Sequence, residues 1–316
     1  MAVLSVSRRT DIPAFYTDWF MNRIKEGSVM VRNPMNPKQI SSMRITPDVV
    51  DCIVFWTKNP DPIMSHLTEI GSRYPYYFQY TLNPYDYRLE PCIPALDARI
   101  GSFKSLSLII GKENVIWRYD PILMSQKNTV EWHKEGFAYI AKHLEDYTDT
   151  CVISFLDMYE KIRRCMAASG YRSPDENEMR EIAKAFAEIA KEHGIKIQTC
   201  AEKIDLREFG ITHGCCIDPD RVAKATGWAL NLNRHPPQRE YCGCMESVDI
   251  GEYNTCRNGC LYCYANPPGE ERAIYTQNGH DPASPLLVGH PSYDDKIVNK
   301  TLHSLKKDLL GQLSMF

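Results

Sequence analysis

Apolar, β-branched and aromatic residues gather in short runs at 3–7, 29–32, 52–56, 77–81, 115–119, 151–155 and 195–199. Polar or turn-forming residues bound each run, which predicts seven strands before residue 200. Between the runs the spacing of apolar positions becomes helical. Met179, Ile182, Ala183, Phe186, Ile189 and Ala190 share one face of a segment that opens with Ser173-Pro174-Asp175-Glu176, read as an N-cap, a proline at the first helical position and a capping-box acid. Gly194 is placed to end that helix. Phe137, Ile140, Ala141 and Leu144 form a similar face before the strand at 151, and Phe20, Ile24 and Gly27 close a helix before the strand at 29.

Alternating strands and helices favour parallel strands joined by right-handed crossovers. The expected fold is α/β, a (β/α) barrel preferred over an open doubly wound sheet. The preference comes from polar residues just after the strands: Ser7-Arg8-Arg9-Thr10-Asp11, Thr57-Lys58-Asn59, Asn83, Arg118-Tyr119-Asp120 and Cys200-Ala201-Glu202. In a parallel barrel these ends meet on one face, where barrel enzymes keep their sites.

The cysteines change the picture from residue 200 onward. Of 12 in the chain, eight (Cys200, Cys215, Cys216, Cys242, Cys244, Cys256, Cys260 and Cys263) fall in that region, beside Pro236-Pro237 and Pro267-Pro268. The expected organisation is a barrel over 1–200, a cysteine-rich, cluster-binding cap over 201–295 and a basic amphipathic tail over 296–316. With 316 residues the chain buries ample core without metals or disulfides, so stability alone does not explain the thiols. A composition of 43% apolar and 24% charged residues excludes disorder, collagen and coiled coil for the whole chain, and a net charge of −3 argues against a generally basic nucleic-acid binder. The N-terminus has no apolar stretch of signal-peptide length, and nothing approaches the roughly 20 apolar residues of a membrane span. A cytoplasmic protein with no membrane partner is expected, and in a reducing compartment cysteines are more often ligands, nucleophiles or buried apolar groups than disulfide partners. Fingerprints of dinucleotide-binding, P-loop, zincin and serine-hydrolase sites are lacking.

Thr255-Cys256-Arg257-Asn258-Gly259-Cys260-Leu261-Tyr262-Cys263-Tyr264 holds three cysteines in C-x3-C-x2-C spacing. Zinc sites usually complete a tetrahedron with four ligands, whereas three thiolates on a short loop suit a [4Fe–4S] cluster with one iron left open to a small molecule. A zinc or purely structural site is the alternative. Cys242-Gly243-Cys244 supplies two close thiols, and Cys200 with Cys215 or Cys216 supplies two more, so a second site of Cys200, Cys216, Cys242 and Cys244 is expected as an auxiliary [4Fe–4S] cluster or a zinc site. Cys52, Cys92, Cys151 and Cys165 are expected to be ordinary buried thiols.

The three-cysteine motif, with Tyr262 just before its third cysteine, resembles the signature of the radical S-adenosylmethionine (SAM) superfamily. That resemblance implies a TIM-type barrel, SAM chelated by the open iron, an external flavodoxin- or ferredoxin-like electron donor, and a 5′-deoxyadenosyl radical formed at the barrel mouth. In the superfamily the motif follows the first strand; here it lies late, in a segment that a closing barrel returns to strand one. Over nearly its full length the chain resembles the DUF1848 family, through Ser7-Arg8-Arg9-Thr10-Asp11-Ile12-Pro13, Phe55-Trp56-Thr57-Lys58-Asn59-Pro60, Trp117-Arg118-Tyr119-Asp120-Pro121-Ile122 and Asp249-Ile250-Gly251-Glu252-Tyr253-Asn254-Thr255-Cys256. It is more distantly similar to spore photoproduct lyase, through Thr57-Lys58, Thr81-Leu82-Asn83, Glu90-Pro91, Arg99-Ile100 and Asp120-Pro121-Ile122. These resemblances imply Tyr262, Lys58, Asn83, Arg118 and Asp120 as cofactor-binding residues, with Lys58 offering its ammonium to a carboxylate.

Residues 296–316 start as a basic amphipathic helix and end in Gln312-Leu313-Ser314-Met315-Phe316, which resembles the bacterial sliding-clamp-binding peptide. With the lyase similarity this implies DNA as substrate or partner, Lys296, Lys300, Lys306 and Lys307 meeting phosphates, and Arg8 and Arg9 nearer the site; internal salt bridges are the other fate of those arginines. The expected function is a radical SAM enzyme acting on nucleic acid, in repair or modification, or else on a peptide or small metabolite. The rival is a non-catalytic iron–sulfur or zinc protein serving as a clamp-associated adaptor.

Overall fold

The structure, a computed structural model, describes residues 3–228, 241–266 and 279–306. Its strands are β1 (Val3–Val6), β2 (Ser28–Asn33), β3 (Asn36–Arg44), β4 (Cys52–Thr57), β5 (Tyr76–Thr81), β6 (Val115–Ile122), β7 (Thr150–Phe155), β8 (Lys196–Cys200), β9 (Thr212–Gly214), β10 (Val248–Asp249) and β11 (Lys296–Asn299). Eight form one sheet in the order β10-β1-β4-β5-β6-β7-β8-β9, and every pairing in it is parallel. The α/β expectation therefore holds as an eight-stranded parallel sheet. β9 and β10 are its outer strands, so the sheet runs across residue 200 into the region expected as a separate cap. Just beyond β9 and just before β10, Met245 N–H donates to Ile217 O at 3.0 Å, which draws the two ends of the sheet toward each other.

Most central strands are buried on both faces, as their near-continuous apolar sequences require. Helices Thr17–Glu26, Leu96–Ile110, Val130–Leu144 and Glu176–Glu192 lie between strands. Phe137 stacks on Phe186 with ring centroids 3.9 Å apart and on Trp117 at 4.7 Å, joining two helices to β6. Each such buried aromatic contributes about 1.5–3 kcal/mol through removal from water. The last of these helices starts two residues later than the sequence suggested. Asp175 is its N-cap and forms a capping box with Glu178, while Ser173 donates its hydroxyl to Leu156 O.

Two strand expectations are corrected. The run at 29–32 is a strand, β2, but it pairs antiparallel with β3 in a second sheet ordered β11-β3-β2. A connection of only two residues, Pro34 and Met35, cannot make a parallel crossover. Residues 296–299, expected to open a helix, form β11 and add in parallel to the edge of β3. The β-branched pair Ile297-Val298 favours this, and all four β11 residues stay exposed. Among the described residues, no helix is long and apolar enough to cross a membrane.

His133 is a fully buried titratable group packed in the core. Leu123 O can only accept, so the Nε2–H donates to it at 2.8 Å, and the neutral ring accepts a hydrogen bond from the Tyr119 hydroxyl at Nδ1, also 2.8 Å. Burial pushes the ring down from 6.5 to about 4, against the opposing pull of its bond to Leu123. A depressed histidine contributes stability that is full above 6.5 and is lost as pH falls toward 4. Denaturant midpoints followed over that interval are expected to fall with acidity, and to fall less in His133→Gln.

Candidate cofactor and substrate site

The C-terminal ends of all eight parallel strands face one cavity of about 620 Å³. Ser7 to Asp11 follow β1; Trp56 to Lys58, Thr81, Arg118, Ser154 and Cys200 come from β4 to β8; Cys216 follows β9 and Asp249 ends β10. The loop 256–266 supplies another wall, through Cys256, Cys260, Tyr262, Cys263 and Tyr264 among others.

Two buried carboxylates assemble this end of the sheet. Asp249 accepts from Ser5 Oγ and Ser7 Oγ at 2.6 Å and from Arg8 N at 2.8 Å. Arg8 and Arg9 also place their guanidinium nitrogens 3.7 and 4.0 Å from it, so the internal salt bridges are what the structure contains. A Cβ at Gly251 would sit 2.0 Å from Ser7 Oγ, which is why this crossing point carries a glycine. Asp11 accepts from Thr57 Oγ1 (2.7 Å), Lys58 N (2.8 Å) and Asn258 Nδ2 (3.0 Å), tying the β1 and β4 ends to the cysteine loop. Burial raises its pKa, and these donors only partly offset that.

The cysteine loop is pinned through its backbone. Tyr16 OH donates to Thr255 O at 2.6 Å, Leu261 N to Leu89 O at 2.9 Å, and Cys256 N to Asn266 Oδ1 at 3.2 Å. Gly259 takes φ 71°, a left-handed turn between the first and second cysteines. All three thiols line the cavity, and Asn266 Nδ2 donates to Cys263 Sγ at 3.3 Å. Burial, followed by the charge of Asp11 and of Cys263, pushes Cys256 up to about 12. Burial raises Cys260 well above its ordinary value, with Lys58 acting the other way.

Behind the loop lies a charged cluster centred on Glu90, a residue that sequence reading left without a role. Glu90 is buried and accepts from Lys58 Nζ at 2.8 Å, from Tyr262 OH, and from Arg99 Nη1 at 3.4 Å. Lys58 lines the cavity with its ammonium already on a carboxylate of the chain. It also sits 5.6 Å from the centroid of the Tyr262 ring. Asn83 is fully buried and outside the cavity wall: its amide clamps the Asp120 backbone, accepting from N at 2.9 Å and donating to O at 2.8 Å. Arg118 and Asp120 do line the cavity and pair with each other. Thr10 lines it as well, and its buried Oγ1 has no hydrogen-bond partner.

The remaining cysteines separate cleanly. Cys200, Cys216, Cys244 and Cys242 all line the cavity and form a chain of sulfur neighbours, with Cys200 Sγ 2.8 Å from Cys216 Sγ and Cys244 between Cys216 and Cys242. Cys215 lies outside the wall, where a Cβ at Gly243 would meet its sulfur at 2.7 Å. Among the described residues no three His, Cys, Asp or Glu side chains are grouped so as to hold a metal ion. Cys52 and Cys151 are buried as expected and Cys165 is half-buried, but Cys92 is exposed, because its segment runs over the surface beside Gly259. Tyr253 and Tyr264 line the cavity, whereas Tyr119 belongs to the core. Lys296, Lys300 and Lys306 are exposed, and Lys306 lies over the Trp228 ring at 4.2 Å. Lys307, Pro236-Pro237, Pro267-Pro268 and the clamp-like Gln312 to Phe316 lie outside the described residues.

The sequence profile of the domain of unknown function DUF1848 matches residues 3–265. The chain belongs to the DUF1848 family. In this DUF1848 chain the match spans all eight strands of the parallel sheet and all three loop cysteines, and it stops before β11. No curated protein matches it. Among solved structures, four chains match; one, from Bacteroides thetaiotaomicron and described as an alpha-L-fucosidase, shares 11% identity over 56% of this chain and 82% of its own, with a TM-score of 0.27. So low a score carries no argument.

Proposed function

We propose that this DUF1848 protein is a radical SAM enzyme whose cluster ligands are Cys256, Cys260 and Cys263. The observation that carries the reading is the position of these thiols: three on one short loop, all on the wall of a cavity at the C-terminal ends of eight parallel strands. We read the sheet as a barrel, with β10 returning beside β1 so that a late loop occupies the corner next to the first strand. The donor set fits a [4Fe–4S] cluster. A cubane takes one thiolate on each of three irons, so its ligands do not converge on a single point as those of a lone ion must. Asn266 supplies a hydrogen bond to one sulfur, of the kind that tunes such a group. When bound, the cluster supplies one electron for reductive cleavage of the SAM sulfonium.

The chain's own residues bind and orient. Tyr262 is held by Glu90 and Lys58 with its ring against the cavity, where it can border the adenine. The unpartnered Thr10 hydroxyl is available to a polar group of the ligand, and Arg118 with Asp120 gives the far wall its polarity. A volume of about 620 Å³ suits SAM with part of a substrate. Asp249 offsets one of the two positive charges of Arg8 and Arg9, which weakens this rim as a phosphate-binding surface and favours a peptide or small metabolite.

Anaerobic reconstitution with iron and sulfide is the test. A [4Fe–4S] spectrum, with dithionite-dependent release of 5′-deoxyadenosine from SAM, is the expected result. Stimulation of that release by damaged DNA would restore the nucleic-acid substrate. A single bound zinc without turnover would sink the enzyme reading and leave the metal-binding adaptor.

A further inference from the structure

We propose that Cys200 and Cys216 are a redox-active dithiol in the cavity wall, which exchanges with a low-mass disulfide to close into an intramolecular disulfide and reopens with a thiol reductant. The two residues come from paired strands. Cys200 ends β8, its partner in register is Gly214 at the end of β9, and Cys216 follows two residues later. A Cβ on Gly214 would lie 2.8 Å from the Gln198 side chain, so glycine is what lets the chain run this close.

The separation of the sulfurs lies nearer to a covalent bond than to two thiolates on one zinc ion. At 2.8 Å they are within an ångström of the ~2.05 Å of a disulfide. Two thiolates on one tetrahedral zinc, each about 2.3 Å from the ion, stand ~3.8 Å apart. A cation is in place to favour the thiolate, since Arg118 Nη1 donates to Cys216 Sγ at 3.0 Å. Both residues line the cavity, which gives an entering disulfide access.

The exchange balances without a further reactant. Cys216 thiolate attacks one sulfur of R–S–S–R, forming Cys216–S–S–R and releasing RS⁻. Cys200 then transfers its proton to that RS⁻ and attacks Cys216 Sγ, expelling the second RS⁻. The dithiol loses two electrons, and the low-mass disulfide is reduced to two thiol equivalents. Closing the pair removes the sulfur anion that Arg118 faces and leaves its guanidinium to Asp120 and the cavity. None of this depends on the loop cysteines or on the cluster reading.

The test uses the full chain, purified anaerobically under reductant and incubated with oxidised glutathione. Remaining thiols are blocked with N-ethylmaleimide and the linked peptides are identified by mass spectrometry. A Cys200–Cys216 link that dithiothreitol reverses is the expected result. In Cys200→Ser the link disappears and glutathione remains on Cys216. A link formed instead between Cys216 and Cys244 or between Cys242 and Cys244, no link at all, or one equivalent of tightly held zinc that blocks the reaction would overturn the proposal.

Discussion

Cys260→Ala is expected to lose its iron on reconstitution and to release 5′-deoxyadenosine only at background, while the chain remains folded. Cys260 is the middle ligand of the proposed three and is buried on the cavity wall. Removing one of only three thiolates leaves a second iron without a protein ligand, so the effect falls on the whole cluster. The fold is spared because backbone contacts hold the loop: Thr255 through Tyr16, Leu261 through Leu89, and Asn258 O through Cys92 N. Cys151→Ala is the matching control. That thiol is buried in β7 away from the cavity, so its loss lowers the unfolding midpoint yet leaves iron and turnover intact. Full iron and full turnover in Cys260→Ala would remove the basis of the radical reading.

Glu90→Ala is expected to cost about 3–5 kcal/mol of unfolding free energy, the range seen when one partner of a buried ion pair is deleted. Glu90 stands between Lys58 and Arg99, and both side chains are themselves largely buried. Without the carboxylate two cations face each other across the gap, and Tyr262 loses the acceptor for its hydroxyl. Burial pushes the Glu90 pKa up, but Lys58 and then Arg99, with hydrogen bonds from Lys58 and Tyr262, outweigh it and leave it below its ordinary 4.5. A lowered carboxylate gives stability that is present above 4.5 and is lost as pH falls through the folded value. Urea unfolding of wild type and variant as a function of pH measures both effects: the gap is expected to narrow below 4.5, and a constant gap would remove Glu90 as the ionised centre of the cluster.

The sequence made the long, strongly patterned elements readable. Phe137 with Leu144, and Ile182 with Phe186, marked their helices because a buried stripe leaves a period in the chain. β9 and β10 left no such trace, since three residues and two residues cannot express a period. That is why Asp249, which organises the β1 end, carried no expected role. The count of cysteines drew notice to Cys200, Cys215, Cys216, Cys242 and Cys244, but only the folded chain shows that Cys215 alone of these lies off the cavity wall. Lys58 was singled out by the sequence and lines the cavity, while its partner Glu90 carried no expected role. Glu90 lies 32 positions away, in a segment with no strand or helix of its own. β2 was recognised as a strand yet placed in the wrong sheet, because the run itself does not state its partner's direction.

The pairing of Leu4 with Val248 and of Ser5 with Asp249 sets an order of events during synthesis. A nascent chain that has delivered β1 to the solvent carries an unsatisfied strand edge until nearly 250 residues have left the ribosome, and the loop thiols follow later still. Any prosthetic group held by those thiols must be inserted after translation has passed them, into a pocket whose first wall has been waiting for its last.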